Sequence, residues 1–186
     1  MDINLDYRVT LRIFVSLCFY VVVSYGFVAW KYRVYRRVAK VWRPVLVYAH
    51  IFAAASNVVA FPLFMLIDRH QPVTPFLSWF GLLIAVGGAL FLIWAGLTLR
   101  IATFVPPTAG EITTTGPFRI TTHPMYLGGV VVGFGLSMWS ASMLGLVYAL
   151  VVALTLMVVS KEEEKSLVER FGQAYLEYKE RAVIKL

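Results

Sequence analysis

Two short polar segments interrupt a chain that is otherwise rich in apolar residues. The first reads TGPFRITTHPMYLGG, residues 115–129, and carries an arginine, a histidine and a tyrosine. The second is the run Glu162-Glu163-Glu164, which directly follows a long apolar stretch. Ionisable groups at the edge of an apolar stretch need a partner or a function. These two segments are therefore where the sequence could carry chemistry.

The histidine segment has the composition of a helix start. Proline has no N–H to lose at the first helical position, and a threonine just ahead of it can cap the helix. The run Thr121-Thr122-His123-Pro124 therefore predicts the beginning of a helix. The first turn of such a helix offers free backbone N–H groups and the positive end of a dipole, which suit a carboxylate or a phosphate. Taken alone, His123 is more often a structural cap than a catalytic group.

Four glycines follow in the same predicted helix, namely Gly128, Gly129, Gly133 and Gly135. Gly129 and Gly133 have the small-residue spacing that lets membrane helices approach closely, and packing is the more common reason for such glycines. A ligand lying against bare backbone is the alternative. The sequence leaves both interpretations open.

The three glutamates also allow two interpretations. They could bind a ligand at the membrane edge, or they could begin a solvated helix in which Lys161 and Lys165 supply ion pairs. A metal site is not predicted. His50 and His70 lie near opposite ends of one apolar run, and the single cysteine, Cys18, lies inside another, so no set of metal ligands comes together.

The elements that must position these segments are predicted to lie in a membrane. Of the 186 residues, 60% are hydrophobic and 15% are charged, and the mean hydropathy is +0.76. This composition is more apolar than that of soluble domains, and it predicts a single transmembrane domain over residues 1–186. The net charge of +7 lies mostly at the ends of apolar runs, which favours membrane anchoring and argues against nucleic-acid binding.

Five apolar runs predict about five transmembrane helices in an all-α membrane protein. They are Leu11–Trp30, Val45–Ile67, Phe76–Leu99, Pro124–Met138 and Ala141–Ser160. The first is predicted to be a retained span, because it is longer than the apolar part of a signal peptide. A short turn separates the last two, which predicts a C-terminal helical hairpin. Residues 161–181 repeat apolar side chains at spacings of three and four, which predicts an amphipathic tail helix on the membrane surface or continuing the fifth span.

The distribution of basic residues predicts the orientation of the chain. Fourteen lysines and arginines follow the first, third and fifth spans, and three lie on the opposite side. The positive-inside rule then places the N-terminus outside and the C-terminus, with both polar segments, at the cytoplasmic face. Residues 31–43 are predicted to form a basic interfacial anchor, with a phospholipid head-group site as the alternative.

Taken together, the polar segments resemble a known superfamily. The run Gly116-Pro117-Phe118-Arg119, then His123-Pro124-Met125-Tyr126, an apolar hairpin, and the run from Glu163-Glu164 to Arg181 are similar to the isoprenylcysteine carboxyl methyltransferases and phospholipid methyltransferases. The resemblance implies an integral membrane enzyme that uses S-adenosylmethionine. It covers the C-terminal part of the chain, with a general match in span number before it.

The resemblance also implies a set of cofactor-binding residues, which here are His123, Pro124, Met125, Tyr126, Glu163 and Glu164. It requires Tyr126 and Glu163 to meet at the cytoplasmic face, within a cofactor-binding portion of about residues 101–186. The glutamates would meet the cofactor's ammonium group, and Tyr126 would face its sulfonium. Arg119 and Arg181 are weaker candidates for substrate binding. The superfamily commonly has arginine before the histidine, where this chain has Thr122.

The implied reaction is methyl transfer to a membrane-embedded or apolar acceptor, which is a lipid amine, a prenylcysteine carboxylate or a small molecule. A general base is required only if the acceptor arrives protonated, and no residue is assigned to that role. The alternative is a non-catalytic transporter or assembly protein on the same scaffold. A transporter is expected to place charges at mid-membrane, whereas His123 and the glutamates lie at the predicted cytoplasmic boundary, which favours the enzyme.

Overall fold

The structure is a computed structural model that describes residues 7–34, 43–68, 70, 74–99 and 112–184. The described residues form six α-helices, which are α1 (Tyr7–Val34), α2 (Arg43–Ile67), α3 (Pro75–Thr98), α4 (Pro124–Trp139), α5 (Met143–Phe171) and α6 (Gln173–Arg181). A short 3₁₀ turn, Gly116–Arg119, precedes α4. Residues 35–42 of the predicted basic anchor and residues 101–111 of the predicted cofactor-binding portion lie outside the described residues.

Each of the five apolar runs forms a helix, so the all-α class is confirmed for the described part of the chain. Three of these helices, α1, α3 and α5, are long and apolar enough to cross a membrane. The fourth run forms a helix of only 16 residues, α4, which is shorter than the roughly 20 residues that a full crossing needs. The count of five spans stays a prediction.

Helix α5 continues well past the predicted end of the fifth span. It runs without interruption to Phe171 and therefore contains the three glutamates. Gly172 ends it with a φ of +57°, a left-handed conformation that glycine adopts without strain. The predicted tail helix is thus divided between the end of α5 and the nine-residue α6.

Helices α3 and α4 pack through two pairs of glycines. A Cβ atom at Gly135 would lie 2.4 Å from the nitrogen of Ala85 and 2.8 Å from the oxygen of Gly81. Two helical turns further along α3, a Cβ atom at Gly88 would lie 3.1 Å from the oxygen of Gly128. Such spacings leave no room for a side chain, so these glycines serve close helix packing.

The α4–α5 hairpin is fixed at the end of the bundle away from the glutamates. The hydroxyl of Ser142 caps α5 by accepting a hydrogen bond of 2.7 Å from the nitrogen of Gly145, and it donates to the buried carboxylate of Asp68. The nitrogen of His70 donates to the oxygen of Ser140 at 2.9 Å. These contacts hold the turn, and the hairpin returns the chain to the level at which α4 begins.

Candidate functional site

The start of α4 and the glutamates of α5 lie side by side. The hydroxyl of Tyr126 donates a hydrogen bond of 2.7 Å to Oε2 of Glu163. The Nδ1 atom of His123 lies 3.6 Å from the same oxygen, and its Nε2 atom lies 3.7 Å from Oε1 of Glu164. The structure therefore places the two polar segments of the sequence in contact.

The local sequence explains how His123 and Tyr126 face the glutamates. Pro124 occupies the first turn of α4, and the carbonyl of His123 accepts hydrogen bonds of 3.1 Å from the nitrogens of Tyr126 and Leu127. The imidazole makes no capping hydrogen bond. It instead stacks on the ring of Tyr126, with the ring centroids 5.3 Å apart and the planes 2° from parallel. The spacing of three between the two residues places both rings on one face of the helix.

Glu164 connects this cluster to the C-terminal helix. Its Oε2 atom lies 2.6 Å from Nζ of Lys179 in α6. The hydroxyl of Tyr178, also in α6, donates a hydrogen bond of 2.9 Å to the carbonyl of Phe118. Helix α6 thus packs both on the end of α5 and on the 3₁₀ turn ahead of α4.

A comparison with known protein families shows which family the chain belongs to. A family model described as phospholipid methyltransferase matches residues 76–174, which is more than half of the 186-residue chain. The chain belongs to the phospholipid methyltransferase family. The matched residues run from α3 into α6 and contain both polar segments, which confirms the resemblance seen in the sequence. Neither the search of curated proteins nor that of solved structures gave a match.

Helix α1 lies outside the residues that match the phospholipid methyltransferase family, yet it contributes to the cluster. Tyr32 is hydrogen-bonded to both Glu163 and Tyr126. Lys31 is 7% exposed, its Nζ lies 4.4 Å from the centroid of the Tyr32 ring, and the charge of Glu163 acts on it. The sequence predicted a basic interfacial anchor for residues 31–43, with a phospholipid head-group site as the alternative, and gave no sign of a contact with the glutamates.

A salt bridge next to these residues attaches α1 to α5. Arg33 donates two hydrogen bonds of 2.8 Å, from Nε and Nη2, to the two carboxylate oxygens of Glu162. Lys165 lies 2.9 Å from the same carboxylate. Glu162 therefore takes no part in the contact with His123, whereas Glu163 and Glu164 both face the start of α4. The sequence did contain a signal for this contact. Basic residues follow the first apolar run and acidic residues follow the fifth, so an ion pair between the two helix ends could have been predicted.

The remaining candidate residues have different surroundings. Pro124 is buried in the first turn of α4, and Met125 is half-buried beside it. Arg119 and Arg181 line a hollow of about 410 Å³ between the 3₁₀ turn and α6, together with Glu177. Neither His123 nor any residue of the glutamate run borders that hollow. Among the described residues, no three His, Cys, Asp or Glu side chains come together as a metal site.

Phospholipid methyltransferases generally use S-adenosylmethionine, and the polar atoms of the cluster fit such a ligand. Within the described part of the chain, four buried side-chain atoms have no hydrogen-bond partner, namely Thr122 Oγ1, His123 Nε2, Glu164 Oε1 and Tyr175 Oη. Buried polar atoms are nearly always hydrogen-bonded in folded proteins. A polar ligand with both donors and acceptors would supply the missing partners.

His123 is a cation at neutral pH. Its side chain is only 4% exposed, and burial by itself lowers the pKa of an imidazole. The adjacent carboxylates of Glu163 and Glu164 outweigh burial and raise the pKa of His123 to about 9. The imidazolium therefore balances part of the negative charge of the two glutamates.

We expect the melting temperature of the protein to fall as the pH rises through about 9. The pKa of His123 in the fold lies above its ordinary value, so the protonated imidazole stabilises the fold fully below about pH 6.5, and this stabilisation is lost as the proton leaves near pH 9. Thermal melts of the wild-type protein and of His123→Gln across this range check the expectation. The variant should melt lower at neutral pH and show a flatter profile, whereas equal slopes would contradict the charged state.

Proposed function

We propose that the protein transfers a methyl group from S-adenosylmethionine to a membrane-embedded or apolar acceptor at the cytoplasmic membrane face. The hydrogen bond of 2.7 Å between Tyr126 and Glu163 is the observation that carries the proposal, because it joins the two polar segments within the family match. In this proposal the cofactor is held within residues 101–186 by His123, Pro124, Met125, Tyr126, Glu163 and Glu164.

The residues of the cluster have distinct roles in this proposal. Bound S-adenosylmethionine supplies an activated methyl group on a sulfonium. Tyr126 and Tyr32 both hydrogen-bond to Glu163 and keep its carboxylate in place, and the aromatic ring of Tyr126 is suited to lie against a cation. Contact between donor and acceptor in a site without water supports such a transfer, and the burial of His123 (6% exposed) is consistent with that requirement.

A small apolar cavity supports an acceptor with an apolar part. It has a volume of about 70 Å³, lies between α4 and α5, and is bordered by Tyr126 and Ser160 at the end near the glutamates and by Val130 and Met157. A Cβ atom placed on Gly129, in the same part of α4, would meet no atom within 4 Å. An apolar chain between the two helices would thus reach Tyr126 from the membrane side.

The orientation is part of the proposal. The N-terminus lies outside and the C-terminus lies in the cytoplasm, because most basic residues follow the first, third and fifth apolar runs. This places α6 and the glutamates on the side where S-adenosylmethionine is made. A transporter or assembly protein on this scaffold is less well supported, since the family match is to methyltransferases.

Methyl transfer in reconstituted vesicles tests the proposal. Purified protein is incubated with S-adenosylmethionine labelled in its methyl group, in vesicles that contain phosphatidylethanolamine, a prenylated cysteine or neither. We expect label in the lipid or prenylcysteine fraction, and none with Glu163→Gln. Label in neither fraction, together with no binding of S-adenosylhomocysteine by the wild-type protein, would overturn the proposal.

A further inference from the structure

The hollow between the 3₁₀ turn and α6 contains a second group of charged side chains, apart from the His123 cluster. It has a volume of about 410 Å³, and Arg119, Arg181 and Glu177 lie on its wall. Neither His123 nor a residue of the glutamate run borders it. Clefts that bind small molecules have volumes of roughly 300–1,000 Å³. The hollow is therefore large enough for a ligand, and it is separate from the proposed transfer site.

The charged groups of the hollow have no partners within the described part of the chain. Arg119, Arg181 and Glu177 are exposed, and none of them forms an ion pair or a side-chain hydrogen bond there. By contrast, Lys179 of the same helix lies 2.6 Å from Glu164. Two guanidinium groups beside one hollow repel each other, and an anion between them accepts hydrogen bonds from both. Two positive charges and one negative charge leave the hollow with a single excess positive charge.

Exposed apolar side chains flank the hollow. Ile120 directly follows Arg119, and Val183 and Ile184 follow Ala182, which lines the hollow. The nitrogen of Ile184 donates a hydrogen bond of 2.8 Å to the oxygen of Ile120, so the two segments lie side by side. All three apolar residues are exposed, Val183 by 80%. Apolar side chains beside unpaired cations are typical of a protein surface that lies on lipid.

We infer that the hollow binds the phosphodiester group of a membrane phospholipid, with Arg119 and Arg181 contacting the phosphate and with the acyl chains lying over the three exposed apolar side chains. This inference goes beyond the proposed function. The lipid in the hollow is a structural partner and is not the methyl acceptor, because no residue of the proposed transfer site borders the hollow.

The charges and the apolar flank together favour a phospholipid over a soluble phosphate. A phosphodiester carries one negative charge, which balances the excess charge of the hollow. A phosphate monoester carries about 1.5 to 2 negative charges at neutral pH, and the carboxylate of Glu177 repels the additional charge. A soluble phosphate also leaves Ile120, Val183 and Ile184 uncovered, so it gains nothing from their burial.

The bound lipid holds α6 against the 3₁₀ turn. Arg119 is the last residue of the turn, and Arg181 is the last residue of α6. Inside the protein the same two elements are joined by the hydrogen bond of 2.9 Å from the Tyr178 hydroxyl to the carbonyl of Phe118. A phosphate that contacts both arginines adds a second connection at the membrane surface. Because α6 also contacts Glu164, this connection stabilises the position of the glutamate cluster.

Native mass spectrometry of the full-length protein in detergent tests the inference without the methyl-transfer cofactor. The probes are phosphatidylglycerol, diacylglycerol with the same acyl chains, and inorganic phosphate. We expect the wild type to bind phosphatidylglycerol more tightly than either of the other two. Arg119→Gln and Arg181→Gln should each weaken binding of phosphatidylglycerol by roughly tenfold, as expected for the loss of hydrogen bonds to a charged group.

Arg170→Gln is the matched control. Arg170 is an exposed arginine near the end of α5 whose guanidinium lies 5.0 Å from the centroid of the Phe171 ring, and it does not line the hollow. Its loss removes the same charge from the protein and should change binding of phosphatidylglycerol by less than about twofold. Equal losses in Arg119→Gln, Arg181→Gln and Arg170→Gln, or no loss in any of them, would overturn the inference.

Thermal melts give a second readout. Without lipid, Arg119→Gln and Arg181→Gln should melt at or above the temperature of the wild type, because each removes an unpaired cation from beside another cation. Phosphatidylglycerol should raise the melting temperature of the wild type more than that of either variant. If inorganic phosphate stabilises the wild type as strongly as phosphatidylglycerol does, the lipid assignment is overturned. None of these outcomes bears on the proposed methyl transfer, which is tested by its own assay.

Discussion

Replacing Glu163 by glutamine is expected to lower the affinity for S-adenosylhomocysteine by on the order of a hundredfold, because its carboxylate positions Tyr126 and His123 and a hydrogen bond to a charged group contributes about 1.5–3 kcal/mol. Glu163 accepts a hydrogen bond of 2.7 Å from Tyr126 and lies 3.6 Å from the imidazole of His123. Glutamine keeps the size of the side chain but leaves the imidazolium without its nearest counter-charge. His123 would then lose its proton or turn away from the site.

Glu162→Gln is the matched control, one residue away on the same helix. Glu162 pairs with Arg33 and Lys165, whose side chains are 64% and 68% exposed. Because Glu162 contacts neither His123 nor Tyr126, its substitution should act independently of the site, so binding should change less than about fivefold. Calorimetry on both variants measures the difference. Equal losses in the two variants, or none in Glu163→Gln, would show that Glu163 has no special place in the site.

Among the glycines in the part of the chain that the structure describes, Gly135 is expected to lose the most stability when it is replaced by alanine. The new Cβ atom would lie 2.4 Å from the nitrogen of Ala85 and 2.8 Å from its Cα atom. Both atoms belong to the backbone of α3. The clash therefore cannot be relieved by rotating a side chain, and the two helices must move apart. Overpacking of this kind costs about 3 kcal/mol, and a Gly135→Val variant should not fold.

Gly87→Ala in α3 provides the comparison. A Cβ atom there would meet nothing within 4 Å, so alanine should stabilise the helix by about 0.5–1 kcal/mol through its higher helix propensity. Melting temperatures in detergent, followed by circular dichroism, report both changes. The packing between α3 and α4 would be wrong in this region if Gly135→Ala melted at the wild-type temperature or if both variants shifted in the same direction.

The sequence predicted the helices better than their ends. Hydropathy identified five helical segments, because apolar runs of this length have few other structures open to them in a bilayer. It placed the end of the last span at Ser160, whereas α5 continues to Phe171. Hydropathy reports where a helix leaves the lipid, and glutamate and lysine are good helix formers that let the same helix continue into water.

The contact between Tyr126 and Glu163 was expected from the family resemblance alone. Local patterns predicted only that a helix begins at Pro124, and they do not say which other helix faces it. For the same reason the contribution of Tyr32 was missed, since well over a hundred residues separate it from Glu163 in the chain. Tyr175 lies in the run from Glu163-Glu164 to Arg181 that carries the resemblance, but no role was predicted for it, because its lack of a hydrogen-bond partner is visible only once three segments are packed together.

The sequence also could not predict which glycines of α4 contact another helix. The sequence singled out Gly129 and Gly133 by their spacing of four, which is a common packing signal. In the structure, Gly128 and Gly135 contact α3, and a Cβ at Gly129 would meet nothing. Gly128 and Gly135 are seven residues apart, which is about two helical turns, and Gly129 and Gly133 are four apart, which is about one turn. Both spacings place two glycines on one face, so the sequence could not show which face of α4 contacts α3.

The backbone contact between α3 and α4 has a consequence for bilayers of different thickness. Helix α4, with 16 residues, is about 24 Å long, so it is too short to set its own depth. Because its backbone contacts that of the 24-residue α3 at the paired glycines, the two helices should tilt together as one rigid unit under hydrophobic mismatch. The distance of His123 from the lipid phosphates is then governed by α3, and acyl-chain length should alter the catalytic rate less than it would for an independently mobile α4.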